Sequence, residues 1–306
     1  DVRRFKKDEK VRRMLRSGET LGCFYIESPA MRSLIRKLRC EDYLTLVAAS
    51  SIIRPGVARS GMMREFIYRF HHPDQFQYLH PVMKEQLEET FGVMVYQEDV
   101  LKVCHHFAGL DLADADVLRR AMSGKFRGRK ELQRITDKFF SNCRERGYPE
   151  ETTREVWRQI ESFAGNSFSK AHSASYAVES YQSLYLKAYY PIDFMVAVIN
   201  NFGGFYRSWV YFNEARRWGG NILLPCVNHS EFNTCIRGSD IYIGFTHIAN
   251  LEQNLIKALL SEREQHGLFA SLEDLIRRVD IQMEQVFLLV KCGALRFTGL
   301  SKGQLL

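Results

Sequence analysis

The chain has 306 residues, 45% of them apolar and 26% charged, a globular composition with room for about two or three cores and no bias toward disorder. Forty-three Lys and Arg against thirty-six Asp and Glu leave a net charge of +7, modest in size, so its placement matters more than its sum. No stretch reaches membrane-span length and no secretory signal opens the chain; the seven cysteines lie far apart, as free thiols of a reducing cytosol would, so a cytoplasmic location is expected.

In chain order, residues 1–20 read as basic and helical, and Cys23-Phe24-Tyr25-Ile26 as a short strand. Because Asp1 is no initiator Met and the N-terminus is already helical in pattern, the expectation is a piece of a longer chain. Ser28-Pro29 suits a helix start, with Met31, Leu34, Ile35 and Leu38 inward. Glu41–Ser51 reads as a more apolar helix stopped by Arg54-Pro55-Gly56, a loop expected to present Arg54 and Arg59. Helices follow over Gly61–His71, from His80-Pro81, over Tyr96–Ala108, Leu112–Met122, Lys130–Arg146 and Glu150–Phe163.

The stretch Glu161–Tyr190 breaks at Gly165-Asn166-Ser167, and a new helix is expected from Ser173 as N-cap, with Lys170 and His172 before its mouth. Free N–H groups and a partial positive charge there, joined by two cations, make a phosphate seat; a polar cap with solvated charges fits the same residues. Between Arg119 and Arg134 stand seven basic residues and one acid, Glu131, a local excess nearly equal to the whole chain's. A polyanion suits such a patch, as does a solvated helix face. The tyrosines 181, 185 and 189 fit either base stacking or core.

Beyond Pro191–Asn201 and a helix through Tyr211–Trp218, short strands are expected at Ile222–Leu224, Phe232–Ile236 and Ile241–Phe245, then short helices at 250–265, 271–279 and 282–291. The segments around Ala249-Asn250 and Cys292-Gly293 suggest helix-hairpin-helix units, whose hairpin N–H groups can grip a DNA phosphate. Cys226, His229 and Cys235 fall short of a zinc set, and Cys104-His105-His106 reads as packing. The expectation is a mainly α, multi-helix fold with a small β insertion and a helix-hairpin-helix-like C-terminal lobe, divided into 1–202 and 203–306.

Taken together and in this order, Glu27-Ser28-x-x-Met31-Arg32, Ile53-Arg54-Pro55-Gly56, Ser60-Gly61-Met62, Gly92–Glu98, Ala115-Asp116-x-Leu118-Arg119-Arg120-Ala121-Met122 and Phe168-x-Lys170-x-His172-Ser173-Ala174-x-Tyr176-Ala177 carry a family pattern. It resembles the bacterial family C DNA polymerases over essentially the whole chain, in their fingers region. Gly203-Gly204-Phe205-Tyr206 and Val227-Asn228-x-Ser230 are similar to the error-prone branch, whereas Lys170 is similar to the replicative alpha-subunit branch. The usual Gly-Tyr-Gly-Phe-Asn-Lys-Ser-His becomes Gly165–His172 here with an aromatic, a glycine and an asparagine lost but Lys170 and His172 kept.

The resemblance implies template-directed addition of deoxynucleotides to a primer end, with two Mg²⁺ ions held by palm aspartates that would precede Asp1. No catalytic residue and no metal ligand is then expected in this chain, which alone would be inactive; Asp111, Asp114 and Asp116 read as helix-start partners. By the same resemblance Arg119, Arg120, Lys125 and Lys170 gather around the incoming triphosphate, with His172 on a phosphate or the leaving group. Arg54 and Arg59 position triphosphate or duplex, and Phe168 or Tyr176 meets base or sugar. Arg127, Arg129, Lys130 and Lys291 are the further candidates for the DNA backbone. The implied partners are primer–template DNA, deoxynucleoside triphosphates and, through a longer chain, the sliding clamp and other replisome subunits, with no membrane. The alternatives are a nucleic-acid-binding module without catalysis and a zinc-stabilised module around Cys226 and His229.

Overall fold

The computed structural model describes residues 1–122, 128–163 and 169–306. It is mainly α, as expected, and divides into two compact units, Asp1–Tyr185 and Leu186–Leu306. The division falls within a long helix, upstream of the 202/203 boundary drawn from the glycines.

In the first unit α1 (Val2–Phe5) and α2 (Glu9–Ser17) lead in; Asp8 caps α2 by accepting the Val11 N–H, and Val11, Met14 and Leu15 are buried. α3 (Pro29–Leu38) begins on Ser28, which accepts the Met31 N–H at 3.2 Å, and buries the four apolar residues read from the sequence. α4 (Tyr43–Ile52) is capped by Asp42 and is buried on every face from Thr45 onward, which is why its apolar residues show no single stripe. α5 (Pro55–Ser60), α6 (Met62–His71), α7 (Pro81–Leu87), α8 (Gln97–His106) and α9 (Leu112–Met122) follow. α10 (Arg129–Glu145) packs on α9 and on α11 (Glu150–Ser162), where Phe139 meets Trp157 with ring centroids 5.0 Å apart. Each fully buried side chain of this size adds about 1.5–3 kcal/mol of transfer free energy.

Before α6 two local expectations fail. Cys23–Ile26 is a run of turns, since its polar backbone groups are taken by side chains: Phe24 N–H donates to Ser183 Oγ, and Phe24 C=O accepts from Ser180 Oγ. Tyr25 takes a positive φ of 66°, which no strand residue adopts. Residues 55–60 form α5 rather than a loop, because Pro at the first helical position is pre-set for helix.

α12 (Lys170–Tyr189) starts three residues earlier than Ser173. Ser169 Oγ accepts the His172 N–H at 3.2 Å and so caps the helix. Ser173 is buried, 2.5 Å from Ser51 Oγ on α4, and Tyr43 O–H donates to the Ala174 carbonyl at 2.6 Å. The serines of α12 thus fasten it to α4 and to the 20–26 turn.

The second unit contains α13 (Pro191–Asn200), α14 (Ser208–Arg217) and a sheet of β1 (Asn221–Leu223), β2 (Cys235–Arg237) and β3 (Asp240–Tyr242). Strand order is β1-β3-β2, with β1 parallel to β3 and β2 antiparallel to it across a turn at Gly238, φ 65°. α15 (Gln253–His266), α16 (Leu272–Arg278), α17 (Met283–Lys291) and α18 (Lys302–Leu305) then close a core of Phe245, Leu259, Phe269, Leu275, Leu289 and Leu295 among others.

Candidate functional site

The N-terminus of α12 presents unpaired N–H groups by geometry, and it draws anions. Here the anions are carboxylates. Lys170 N–H donates to Glu98 Oε2 at 3.1 Å, and the Lys170 ammonium donates to both carboxylate oxygens of Glu89, at 2.5 and 2.7 Å. Lys170 Nζ also lies 5.6 Å from the centre of the Tyr96 ring. Glu98 belongs to the first turn of α8, whose start is fixed by buried Asp99: its carboxylate accepts the N–H groups of Val95 and Tyr96, each at 2.9 Å. Burial pushes the Asp99 carboxyl up to about 6, against those two donors.

His172, in the first turn of α12, packs its ring on Tyr176 with centroids 4.1 Å apart, and Tyr176 meets Tyr25 edge-on at 4.9 Å. Arg54 completes this group. Its three guanidinium nitrogens are shielded from solvent, and burial brings its pKa down to about 10 while the neighbouring Tyr25 opposes the fall. Arg54 is therefore half-buried rather than presented on a loop, and Arg59, in the last turn of α5, is exposed. Tyr25 is held in left-handed backbone beside these groups, a strain of about 1–3 kcal/mol that the surrounding contacts offset.

Arg119 and Arg120 form a second group, both converging on Asp116. Arg119 donates to Asp116 Oδ1 from Nε and Nη2 at 2.9 and 2.7 Å, and Arg120 Nε lies 3.0 Å from Oδ2. Asp111 accepts the Asp114 N–H at 2.7 Å as a helix cap, while Asp114 binds Arg134 and Lys138 of α10 and so ties α9 to α10. Arg129 and Lys130 are exposed in the first turn of α10, the positive end of its dipole, where cations are disfavoured unless an anion arrives. Lys125, Arg127 and Phe168 lie outside the described residues.

The sequence reading gave Glu89 and Glu98 no role and took Asp116 as a helix-start partner, whereas Asp116 holds the two arginines. Only Asp116 had a local signal, its spacing of three and four to the two arginines. The tyrosine stripe divides: Tyr181 is fully buried, Tyr185 stacks on Phe5 at 4.2 Å, and Tyr189 is exposed.

In the second unit both hairpins turn through left-handed residues, Asn250 at φ 65° and Gly293 at φ 80°. Gln285 of α17 accepts the Glu252 N–H at 2.9 Å and donates to the Asn250 carbonyl at 3.2 Å, fixing the first hairpin. Lys291 ends α17, exposed, and its carbonyl accepts from Lys302. Cys226, His229 and Cys235 form no metal-holding group among the described residues: the Cys235 thiol lies 3.8 Å from the His229 carbonyl, and the His229 ring packs on Tyr242 with centroids 5.2 Å apart.

Residues 3–147 match the family model described as the bacterial DNA polymerase III alpha subunit finger domain, and residues 219–305 match a helix-hairpin-helix motif. The chain is 34% identical to the DNA polymerase III subunit alpha of Aquifex aeolicus, over 98% of its own length and 26% of the relative's. It is 35% identical to that of Thermus aquaticus, over 94% of its length and 24% of the relative's. The chain belongs to the bacterial DNA polymerase III alpha-subunit family. It spans about a quarter of the length of these relatives.

Within this polymerase family chain, Arg54, Arg59, Arg119, Arg120, Arg129 and Lys130 fall inside the finger-domain match, Lys291 inside the helix-hairpin-helix match, and Lys170 and His172 between the two. No grouping of three or more His, Cys, Asp or Glu able to hold a metal occurs among the described residues. Asp111 accepts a backbone N–H, and Asp114 and Asp116 are paired with Arg134 and Arg119, so these three carboxylates do not fit a metal site. No helix among the described residues is long and apolar enough to cross a membrane.

Proposed function

We propose that the chain is the fingers portion of a DNA-directed DNA polymerase and grips the triphosphate of the incoming deoxynucleotide together with primer–template DNA. The supporting observation is the pair of carboxylates on Lys170: Glu98 on its backbone N–H and Glu89 on its ammonium occupy the places that two phosphate oxygens would take. A triphosphate brings more charge and more acceptor oxygens than either carboxylate, so it displaces them at little cost from an exposed site.

In this reading Lys170, Arg119 and Arg120, with Lys125, offset the charge of the triphosphate and of the departing pyrophosphate. His172 donates to a phosphate oxygen or to the leaving group, and Tyr176 sets its ring. Arg54 holds the aromatic wall on which the nucleotide rests. Arg59, Arg127, Arg129, Lys130 and Lys291 serve the DNA backbone. The two Mg²⁺ ions and their aspartates belong to a palm outside this chain, as do attachments to a sliding clamp and other replisome subunits. The Lys170 pattern favours the replicative branch.

The test is titration of a labelled deoxynucleoside triphosphate, with and without primer–template, into the wild type and an Arg120→Ala, Lys170→Ala double variant. Saturable, salt-sensitive binding lost in the variant supports the reading. Equal binding by both folded proteins overturns the triphosphate seat and leaves a nucleic-acid-binding module.

A further inference from the structure

Asn201–Arg207 connects α13 to α14 and Ser208-Trp209 opens α14; three rings of this stretch face water: Phe202 is 65%, Phe205 63% and Trp209 68% exposed. Single exposed apolar residues are ordinary on a soluble surface; three large rings within eight residues are not.

The loop is built to hold this shape. Tyr211 is fully buried, and its hydroxyl oxygen accepts the N–H groups of Gly204 at 3.0 Å and Tyr206 at 3.1 Å. Its ring presses on Gly203, where a Cβ would lie 2.3 Å from Cε2, and Phe202 and Gly203 both take positive φ, 58° and 70°. The backbone therefore turns tightly over Tyr211, which sets the 202–206 turn carrying Phe202 and Phe205, while Trp209 is set by the first turn of α14.

Charge selects the occupant. No carboxylate occurs from Phe194 to Asn213, Arg207 is exposed among the rings, and Arg216 and Arg217 are exposed at the end of α14. The nearest acid on that helix, Glu214, is buried and neutralised by Lys187 at 3.0 Å. Aromatic rings interleaved with a guanidinium group, on a segment that carries no carboxylate, match unpaired bases on a phosphate backbone, whereas a purely apolar protein surface would leave the arginine unserved.

We infer that the 202–209 stretch, the turn together with the start of α14, is a stacking platform for single-stranded DNA, with Phe202, Phe205 and Trp209 under successive bases and Arg207 on the phosphates. It rests on residues other than those of the triphosphate seat and stands whether or not that seat is correct.

The probe is a labelled oligothymidylate, with a blunt duplex as control, bound by the polypeptide that carries these residues. Phe205→Ala with Trp209→Ala is expected to weaken single-strand binding about 10-fold or more and duplex binding less than about 2-fold. Trp209→Phe keeps a ring, so it holds affinity near wild type while losing the part of the fluorescence quenching that stacking on Trp209 produces; this guards against a fold defect in the double variant. Arg207→Gln lowers the salt dependence of binding by about one phosphate contact. Unchanged single-strand affinity in the folded double variant overturns the platform, as does an equal loss on duplex and single strand. Concentration-dependent self-association lost in the variant, with no effect on the oligothymidylate, overturns it in favour of a protein contact.

Discussion

The Lys170 ammonium donates to both carboxylate oxygens of Glu89, so the cation at the head of α12 is held by a glutamate 81 positions earlier in the chain. Both side chains are partly exposed, and such a pair contributes about 0.2–1 kcal/mol. Removing the negative charge while keeping the shape, by Glu89→Gln, is expected to tighten triphosphate binding about 2- to 5-fold in the titration above. Against a Lys170→Ala background the same change should do nothing. Additive effects of the two substitutions would separate Glu89 from Lys170.

Asp99 supplies a pH signature. Its folded pKa of about 6 stands above the ordinary carboxylate value, so the folded chain binds the proton more tightly than the unfolded chain does. Stability from this group is present below the unfolded value and falls as pH rises toward about 6, by on the order of 2–3 kcal/mol. In urea melts at a series of pH values, the wild type should lose stability relative to Asp99→Asn across that window and run parallel to it above. A constant difference between the two would show that Asp99 ionises normally in the fold.

Lys187 is fully buried with Glu214, whose Oε1 also accepts the Trp218 indole N–H at 3.0 Å. Burial alone raises the Glu214 carboxyl; Lys187, Trp218 and Arg217 outweigh it and bring the pKa below its ordinary value. Lys187→Met leaves Glu214 with the exposed Arg217 as its remaining counter-charge and is expected to cost about 1–3 kcal/mol in chemical denaturation. Adding Glu214→Gln, which keeps an acceptor for Trp218, should recover much of the loss.

Gly244 has an ordinary φ of −69°, yet a Cβ there would lie 2.3 Å from the Asn233 carbonyl carbon and 2.4 Å from the Thr234 nitrogen. Backbone cannot step aside as a side chain can. Gly244→Ala should therefore cost about 3 kcal/mol or more. Gly238→Ala, at positive φ with nothing near the new methyl, should cost only about 1 kcal/mol. Denaturation midpoints of the two variants check the ranking, and equal losses would refute it.

Helices with a local start signal were legible. Ser28-Pro29 and His80-Pro81 announced α3 and α7 because capping and proline act within a single turn. Ser173 misled for the same reason: serine favours a cap locally, but here its hydroxyl has a buried partner, Ser51, far away in sequence. Cys23–Ile26 looked extended by composition, yet strand needs a neighbour, and the neighbour that arrived was a serine-bearing helix.

The cations were legible and their partners were not. The order of Arg54, Arg119, Arg120, Lys170 and His172 along the chain identified the family, since a motif is written in sequence. That Lys170 is held by Glu89 and Glu98, that Arg54 is sunk beside Tyr25, and that three rings stand out over Tyr211 were settled only in three dimensions. The sequence by itself determined which charges and apolar stripes exist, because these are properties of residues and of helical period. The tertiary structure decided which charges meet and which rings are left in water, because long-range contact depends on how helices pack and not on what any single helix contains.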